Sequence, residues 1–236
     1  MSRLDPPVVR VAHVAARLGD LNEHVVFVGG AIAPLLVTDA AAQSLRVTDD
    51  VDVITTTTSR ASYHRLEAEL RARGFQHDRS EDAPICRWRV DGIAVDVMPS
   101  DPSVLGFSNR WYPYALASAE TYELTPGLAI RLVSPVAFAA TKLEAFRSPT
   151  RPFAGDYFAS HDLEDIVALV DGRPELTEEI SAVRKDVRTY VAEEVDALLA
   201  ETDFLDALAG HVEPGPSNAT RTEIVLGRLR RIAQLQ

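Results

Sequence analysis

Apolar residues recur along this chain in two periods, and the change from one to the other outlines its architecture. Val8, Val11, Val14, Ala15 and Leu18 keep the three-to-four-residue spacing of a helix with one buried face. A short all-apolar run at 25–28 then reads as a buried strand, stopped by Gly29-Gly30, and a helix start is predicted over 31–37. Residues 50–55 alternate and are β-branched, which predicts a second strand. Ser59 is placed to cap the following helix, which Gly74 ends. Strands are predicted at 75–79 and 85–90. Asp91-Gly92 is a two-residue hairpin signal with its return strand at 93–98, and a second hairpin is predicted at 121–124 and 129–133 around Pro126-Gly127.

After Ser134-Pro135 the period becomes helical. Ser134 suits a cap and Pro135 the first turn of a helix running through Lys142 to about Phe146. A loop rich in Pro and Gly occupies 148–160, and helical patterns cover 161–170, 175–200 and 219–235. The expected class is α+β, a mixed sheet flanked by helices and followed by a C-terminal helical domain. The expected domains are 1–133 and 134–236.

Two aspartates in the second strand change the picture. Residues i and i+2 of a strand face one side, so Asp50 and Asp52 project together while Val51 and Val53 project oppositely. Paired carboxylates repel unless solvated or bridged by a cation. Hard oxygens suit Mg²⁺, which also accepts phosphate oxygens as ligands. A third carboxylate, Asp96, lies amid Ile93-Ala94-Val95 and Val97-Met98, where an unpaired aspartate would cost several kcal/mol. Either it joins Asp50 and Asp52 around a metal, or it faces solvent on an edge strand, or it pairs with one of the nearby arginines.

Upstream, Gly29-Gly30 lets backbone N–H groups approach phosphate at the start of the next helix, or is simply a turn. Arg46 and Thr48 stand just before the acidic pair. They read as a phosphate contact and a loop-ordering hydroxyl, or as a surface arginine and a β-favouring threonine. Lys142 borders the apolar stripe of Phe138, Leu143 and Phe146, and either snorkels to water or reaches the β- and γ-phosphates of a nucleotide. Asp162 and Asp165, one helical turn apart, either favour their helix N-terminus, with Ser160 as cap, or orient Lys142 or Arg46, or touch the nucleotide.

Together these residues resemble the nucleotidyltransferases of the DNA polymerase β superfamily, above all the toxin-like branch of AbiEii and MenT type. That group shows an apolar strand ending in Gly-Gly-x-Ala, then Arg-x-Thr-x-Asp-x-Asp, and these read here as Gly29-Gly30-Ala31-Ile32-Ala33 and Arg46-Val47-Thr48-Asp49-Asp50-Val51-Asp52. Asp96, Lys142 and Asp162/Asp165 follow in the group's order. The likeness spans about residues 22–170. Residues 99–133, with Trp111-Tyr112-Pro113-Tyr114, match nothing in it. The resemblance implies a metal-dependent enzyme that moves a nucleoside monophosphate from a nucleoside triphosphate (NTP) such as ATP to an acceptor hydroxyl, on RNA or a tRNA end, a small molecule or a protein. It also implies Mg²⁺ or Mn²⁺ on Asp50, Asp52 and Asp96, Gly29, Gly30, Arg46, Thr48, Lys142, Asp162 and Asp165 about the nucleotide, and a toxin-antitoxin setting with an antitoxin protein as partner. The alternative is a non-catalytic nucleotide-binding or interaction module.

Composition narrows the setting. The net charge of −11 disfavours broad, sequence-independent nucleic-acid binding. Arg71, Arg73, Arg79, Arg87 and Arg89 form a sequence cluster, as do Arg228, Arg230 and Arg231, and each reads as a solvated face or as a local basic patch. The single cysteine, Cys86, excludes an internal disulfide and reads as a small core residue rather than a catalytic thiol. Residues 1–7 carry no basic stretch before an apolar core, so neither a signal peptide nor a membrane span is expected, and the expected location is cytoplasmic.

Overall fold

The computed structural model describes residues 6–39, 48–149 and 153–236. The chain divides into two compact units, one of Met1–Leu35 and Val47–Ser134, the other of Leu36–Arg46 and Pro135–Gln236. Arg46, a candidate phosphate contact, lies outside the described residues.

The first unit is built on a mixed sheet. Among the described residues it has seven strands: β1 (Val25–Val28), β2 (Asp50–Thr55), β3 (Gln76–His77), β4 (Arg87–Val90), β5 (Ile93–Pro99), β6 (Glu120–Thr125) and β7 (Leu128–Leu132), in the order β3-β4-β5-β2-β1-β7-β6. β2 runs parallel to β5 and antiparallel to β1, and β1 is parallel to β7. The all-apolar β1 and the alternating β2 sit in the middle, and every side chain of β1 is buried. Helix α1 (Pro6–Leu18) packs its predicted stripe on the sheet, with Val11, Val14 and Leu18 fully buried. Ser59 caps α3 (Arg60–Ala72) in a capping box with Ser62, and the Tyr63 hydroxyl of that helix donates to the carbonyl of Val97 on β5. Asp91 and Gly92 both take positive φ, 48° and 85°, the turn that a two-residue hairpin needs.

Several expectations change. The helix predicted over 31–37 is a single 3₁₀ turn, Gly30–Ile32, followed by the four-residue α2 (Ala33–Leu36). Gly29-Gly30 therefore does not open a long helix with an appreciable dipole. The strands predicted at 75–79 and 85–90 shorten to β3 and β4. The unassigned stretch after β5 folds into two short helices, α4 (Pro102–Leu105) and α5 (Tyr112–Ala117), the first capped by Asp101.

The second unit is helical. It comprises α6 (Pro135–Arg147), α7 (His161–Gly172), α8 (Leu176–Ala182), α9 (Lys185–Leu199), α10 (Thr202–His211) and α11 (Asn218–Ala233). Ser160 caps α7, its hydroxyl accepting from the Leu163 N–H at 3.3 Å. The single helix expected over 175–200 is broken at Val183 and Arg184, whose backbones are extended in ψ (171° and 145°), with no glycine or proline to announce it. Helix α10 was not expected, although Phe204, Ala207, Leu208 and His211 keep a helical spacing and are all buried. Of the C-terminal arginine cluster, Arg228 turns inward, whereas Arg230 and Arg231 are exposed. Arg221 Nε lies 2.8 Å from the wholly buried Asp171, and Arg228 donates to the carbonyls of Val170 and Asp171 at the end of α7. Among the described residues no helix is long and apolar enough to cross a membrane.

Candidate active site

The three expected carboxylates share one face of the first unit's sheet. β2 and β5 pair with Asp52 opposite Asp96, and Asp50 stands two residues before Asp52. Side-by-side partners on neighbouring strands point the same way, so the alternation that buries Val51, Val53, Val95 and Val97 turns Asp50, Asp52 and Asp96 to a common side. Asp96 is among the buried polar residues, at 8% exposure.

The strand-end glycine explains how the backbone meets this cluster. Gly29 adopts φ 74° and ψ −174°, a conformation open almost only to glycine. A Cβ at this position would sit 1.9 Å from Asp52 Oδ2 and 2.8 Å from Asp52 Cβ. The turn thus presses its bare Cα against the Asp52 side chain, and the glycine is needed for both angle and space.

Thr48 serves the cluster directly. It is buried, and its hydroxyl donates to Asp50 Oδ1 at 2.7 Å. Its own carbonyl accepts from Arg10 Nη1 at 2.5 Å, and Arg10 Nη2 lies 3.1 Å from Asp49. Arg10, on α1, thus ties down the residues that lead into β2, a role with no signature in the sequence.

The member that changes the chemistry most is Arg87. Rather than lying on a solvated basic face, it reaches into the carboxylates. Nε donates to Asp96 Oδ1 at 2.8 Å, and Nη2 donates to both Asp96 Oδ2 and Asp50 Oδ2, at 2.8 and 2.9 Å. These are charge-assisted bonds, the fork engaging Asp96 bidentately. The hydrogen bonds and charge of Asp96 push the Arg87 pKa further up, so it remains a cation. Asp96 thus pairs with an arginine while sharing a face with the other two carboxylates. A signal for the pairing was present in the sequence. A two-residue turn at Asp91-Gly92 pairs Val90 with Ile93, and counting back in steps of one sets Arg87 opposite Asp96. Trp88, fully buried on the other face of β4 and stacked on His77 at 3.7 Å, anchors the strand.

Three more arginines of that cluster have partners, while Arg79 is exposed. Arg89 pairs with Asp78 at 2.7 Å, Arg73 with Asp20, and Arg71 lies over the Trp88 ring and near Glu67. Cys86 adjoins the site in sequence but is a core residue. Burial, then the charges of Asp96 and Asp52, push its thiol up to about 12. The folded protein is therefore expected to leave a thiol-specific disulfide reagent unconsumed at pH 8, and to titrate one thiol per chain once unfolded. Rapid reaction of the folded chain would contradict this.

In the second unit, considered by itself, Lys142 on α6 is buried and meets both expected carboxylates of α7. Its Nζ lies 3.0 Å from Asp162 Oδ1 and 2.6 Å from Asp165 Oδ2. It does not snorkel to water: Asp162 and Asp165 hold it, and Asp162 also lies in the first turn of the helix that Ser160 caps. His161 remains a surface residue beside Glu164.

The donor chemistry of the first-unit cluster fits a divalent cation. It offers hard carboxylate oxygens on one face, with a guanidinium already bridging two of them as a stand-in positive charge. As placed, however, no group of three or more His, Cys, Asp or Glu among the described residues is arranged to hold a metal ion.

No protein-family profile matches the chain, and no curated protein matches it. Among solved structures it is similar to an antigenic nucleotidyltransferase-like protein from Paracoccidioides brasiliensis, with 18% identity over 92% of each chain and a TM-score of 0.46. It is also similar to JHP933 from Helicobacter pylori, with 12% identity over 98% of this chain and 94% of that one, and a TM-score of 0.46.

Proposed function

We propose that the protein is a nucleotidyltransferase, moving a nucleoside monophosphate from an NTP to an acceptor hydroxyl at the Asp50–Asp52–Asp96 face. The observation that carries this reading is the register. Asp52 stands opposite Asp96 with Asp50 two residues away, and the glycine-only turn of Gly29 packs on Asp52. Strand pairing and turn geometry combine to gather three like charges, which repel unless solvated or bridged by a cation. The order of motifs from Gly29 to Asp96, which resembles the toxin-like branch of the polymerase β superfamily, supports the same reading.

Asp50, Asp52 and Asp96 would hold Mg²⁺ or Mn²⁺. When bound, such an ion supplies positive charge to the phosphate oxygens and to the attacking oxygen. Thr48 fixes one oxygen of Asp50 and so its rotamer. Gly29 gives the triphosphate close access to backbone beside Asp52. Asp96 positions the acceptor hydroxyl or takes its proton. The oxygen of that hydroxyl attacks the α-phosphorus, the bond to the bridging oxygen breaks, and pyrophosphate leaves.

The test is incubation with α-labelled NTPs and Mg²⁺ or Mn²⁺ against a panel of acceptors: RNA, small hydroxyl compounds and protein. Label transfer is expected, with loss of roughly a thousandfold or more in an Asp50→Asn/Asp52→Asn variant. Undiminished transfer in that variant would falsify the assignment. One observation favours a second reading. Arg87 already bridges Asp50 and Asp96 and offsets one of their two charges without a metal, as a fold that keeps the cluster without catalysis could. NTP binding that is indifferent to divalent ions, with no transfer, would favour the module.

A further inference from the structure

We propose that Arg87 is a displaceable counter-cation that competes with the divalent ion for Asp50 and Asp96, so that metal binding requires Arg87 to swing out of the cluster. This rests on the metal-binding reading above and assigns to the site a residue that sets its metal affinity.

Three observations carry it. First, Arg87 engages the oxygens a metal would use. Both oxygens of Asp96 and one of Asp50 accept from the guanidinium, and Thr48 takes the other oxygen of Asp50. Second, Nη2 stands between Asp50 Oδ2 and Asp96 Oδ2, within 2.9 Å of each, so a cation held by these two carboxylates would have to enter the space it fills. Such an ion lies about 2.1 Å from its oxygens. It and a guanidinium nitrogen cannot share one point, and like charges that close repel strongly. Third, Arg87 has a way out. Its side chain is 24% exposed, more than Asp96 at 11% and less than Asp50 at 34%, so its end reaches water on the Asp50 side. The guanidinium can swing on its flexible stem while the carboxylates stay fixed on paired strands. Displacement also exchanges one positive charge for two, favourable beside three carboxylates and more so when a triphosphate arrives with the ion.

A purely structural role for Arg87 predicts the opposite sign. If the guanidinium served only to hold the carboxylates in place, its removal would loosen them and weaken metal binding. Competition predicts that removal tightens it.

The experiment is a titration of the intact chain with Mn²⁺ alone, read by the electron paramagnetic resonance signal of free Mn²⁺ and by calorimetry, with no nucleotide present. Arg87→Met is expected to bind Mn²⁺ about tenfold more tightly than the wild type or better, because charge-assisted bonds no longer have to be broken. Arg87→Lys keeps the charge but lacks the fork, and is expected to fall between the two. It also carries the test if Arg87→Met does not fold, as checked by circular dichroism. Asp96→Asn is expected to bind more weakly than the wild type. Equal or weaker binding in both Arg87 variants, with the wild type binding, overturns the competition and leaves the metal site standing. No Mn²⁺ binding by the wild type or by any folded Arg87 variant overturns both.

Discussion

Gly29→Ala is expected to destabilise the chain by about 3 kcal/mol and to lower nucleotidyl transfer roughly a hundredfold or more. Two independent costs combine. The backbone at φ 74°, ψ −174° is one that alanine cannot adopt without strain. The new Cβ would also lie 1.9 Å from Oδ2, 2.7 Å from Cγ and 2.8 Å from Cβ of Asp52. Because the clash reaches the Cβ of Asp52, no rotation of its carboxylate relieves it, and either β2 or the turn must shift. A shift of β2 disturbs the pairing of Asp52 with Asp96, so activity should fall further than stability alone accounts for. Gly127→Ala is the control. It too has positive φ, 81°, but its Cβ would meet nothing within 4 Å, and its expected cost is only about 1 kcal/mol. Urea unfolding of both variants and the label-transfer assay check the pair. Equal stabilities for the two would show that the close approach at Asp52 is without consequence.

The contrast between these glycines shows what the sequence disclosed. Gly29-Gly30 was legible as a turn at the end of an apolar strand, and the period-two alternation was legible as Asp50 and Asp52 facing one way, with the side taken by Asp96 left open. Neither pattern encodes φ, and the helix expected after the turn proved to be little more than one 3₁₀ turn and four α-helical residues. The partners of the charges were harder to read. Lys142 meets carboxylates 20 and 23 positions away, and Arg10 reaches a carbonyl 38 positions away. Such pairs depend on how elements pack, which local periodicity does not carry. Arg87 is the instructive exception, since a two-residue turn transmits its register along both strands and aligns Arg87 with Asp96. A cluster of arginines in sequence says little about a basic surface: Arg87 and Arg89 share a face of β4 yet are drawn to different acids, Asp96 and Asp78.

Lys142→Met is expected to destabilise the protein by about 3–5 kcal/mol, the largest effect of any single substitution considered. Lys142, Asp162 and Asp165 have side chains only 11%, 10% and 6% exposed, and the ammonium lies between both carboxylates and 5.7 Å from the Phe138 ring. Methionine matches the length of the lysine stem, so the packing against Phe138 survives and the change isolates the charge. It would leave Asp162, in the first turn of α7, and Asp165 just beyond it largely shielded from water and without the cation that bridges them. The helix N-terminus and the Ser160 cap offset only a small part of that cost. The decisive comparison is with Lys142→Met/Asp162→Asn/Asp165→Leu, which removes the charges together. A buried ion cluster can be exchanged for neutral residues of similar volume at little cost, whereas removing one partner strands the others. The triple variant should therefore recover most of the stability lost by Lys142→Met in urea unfolding. If the single variant costs under about 1 kcal/mol, or the triple variant is the less stable of the two, the cluster is better solvated than its burial implies and Lys142 does not hold α6 to α7.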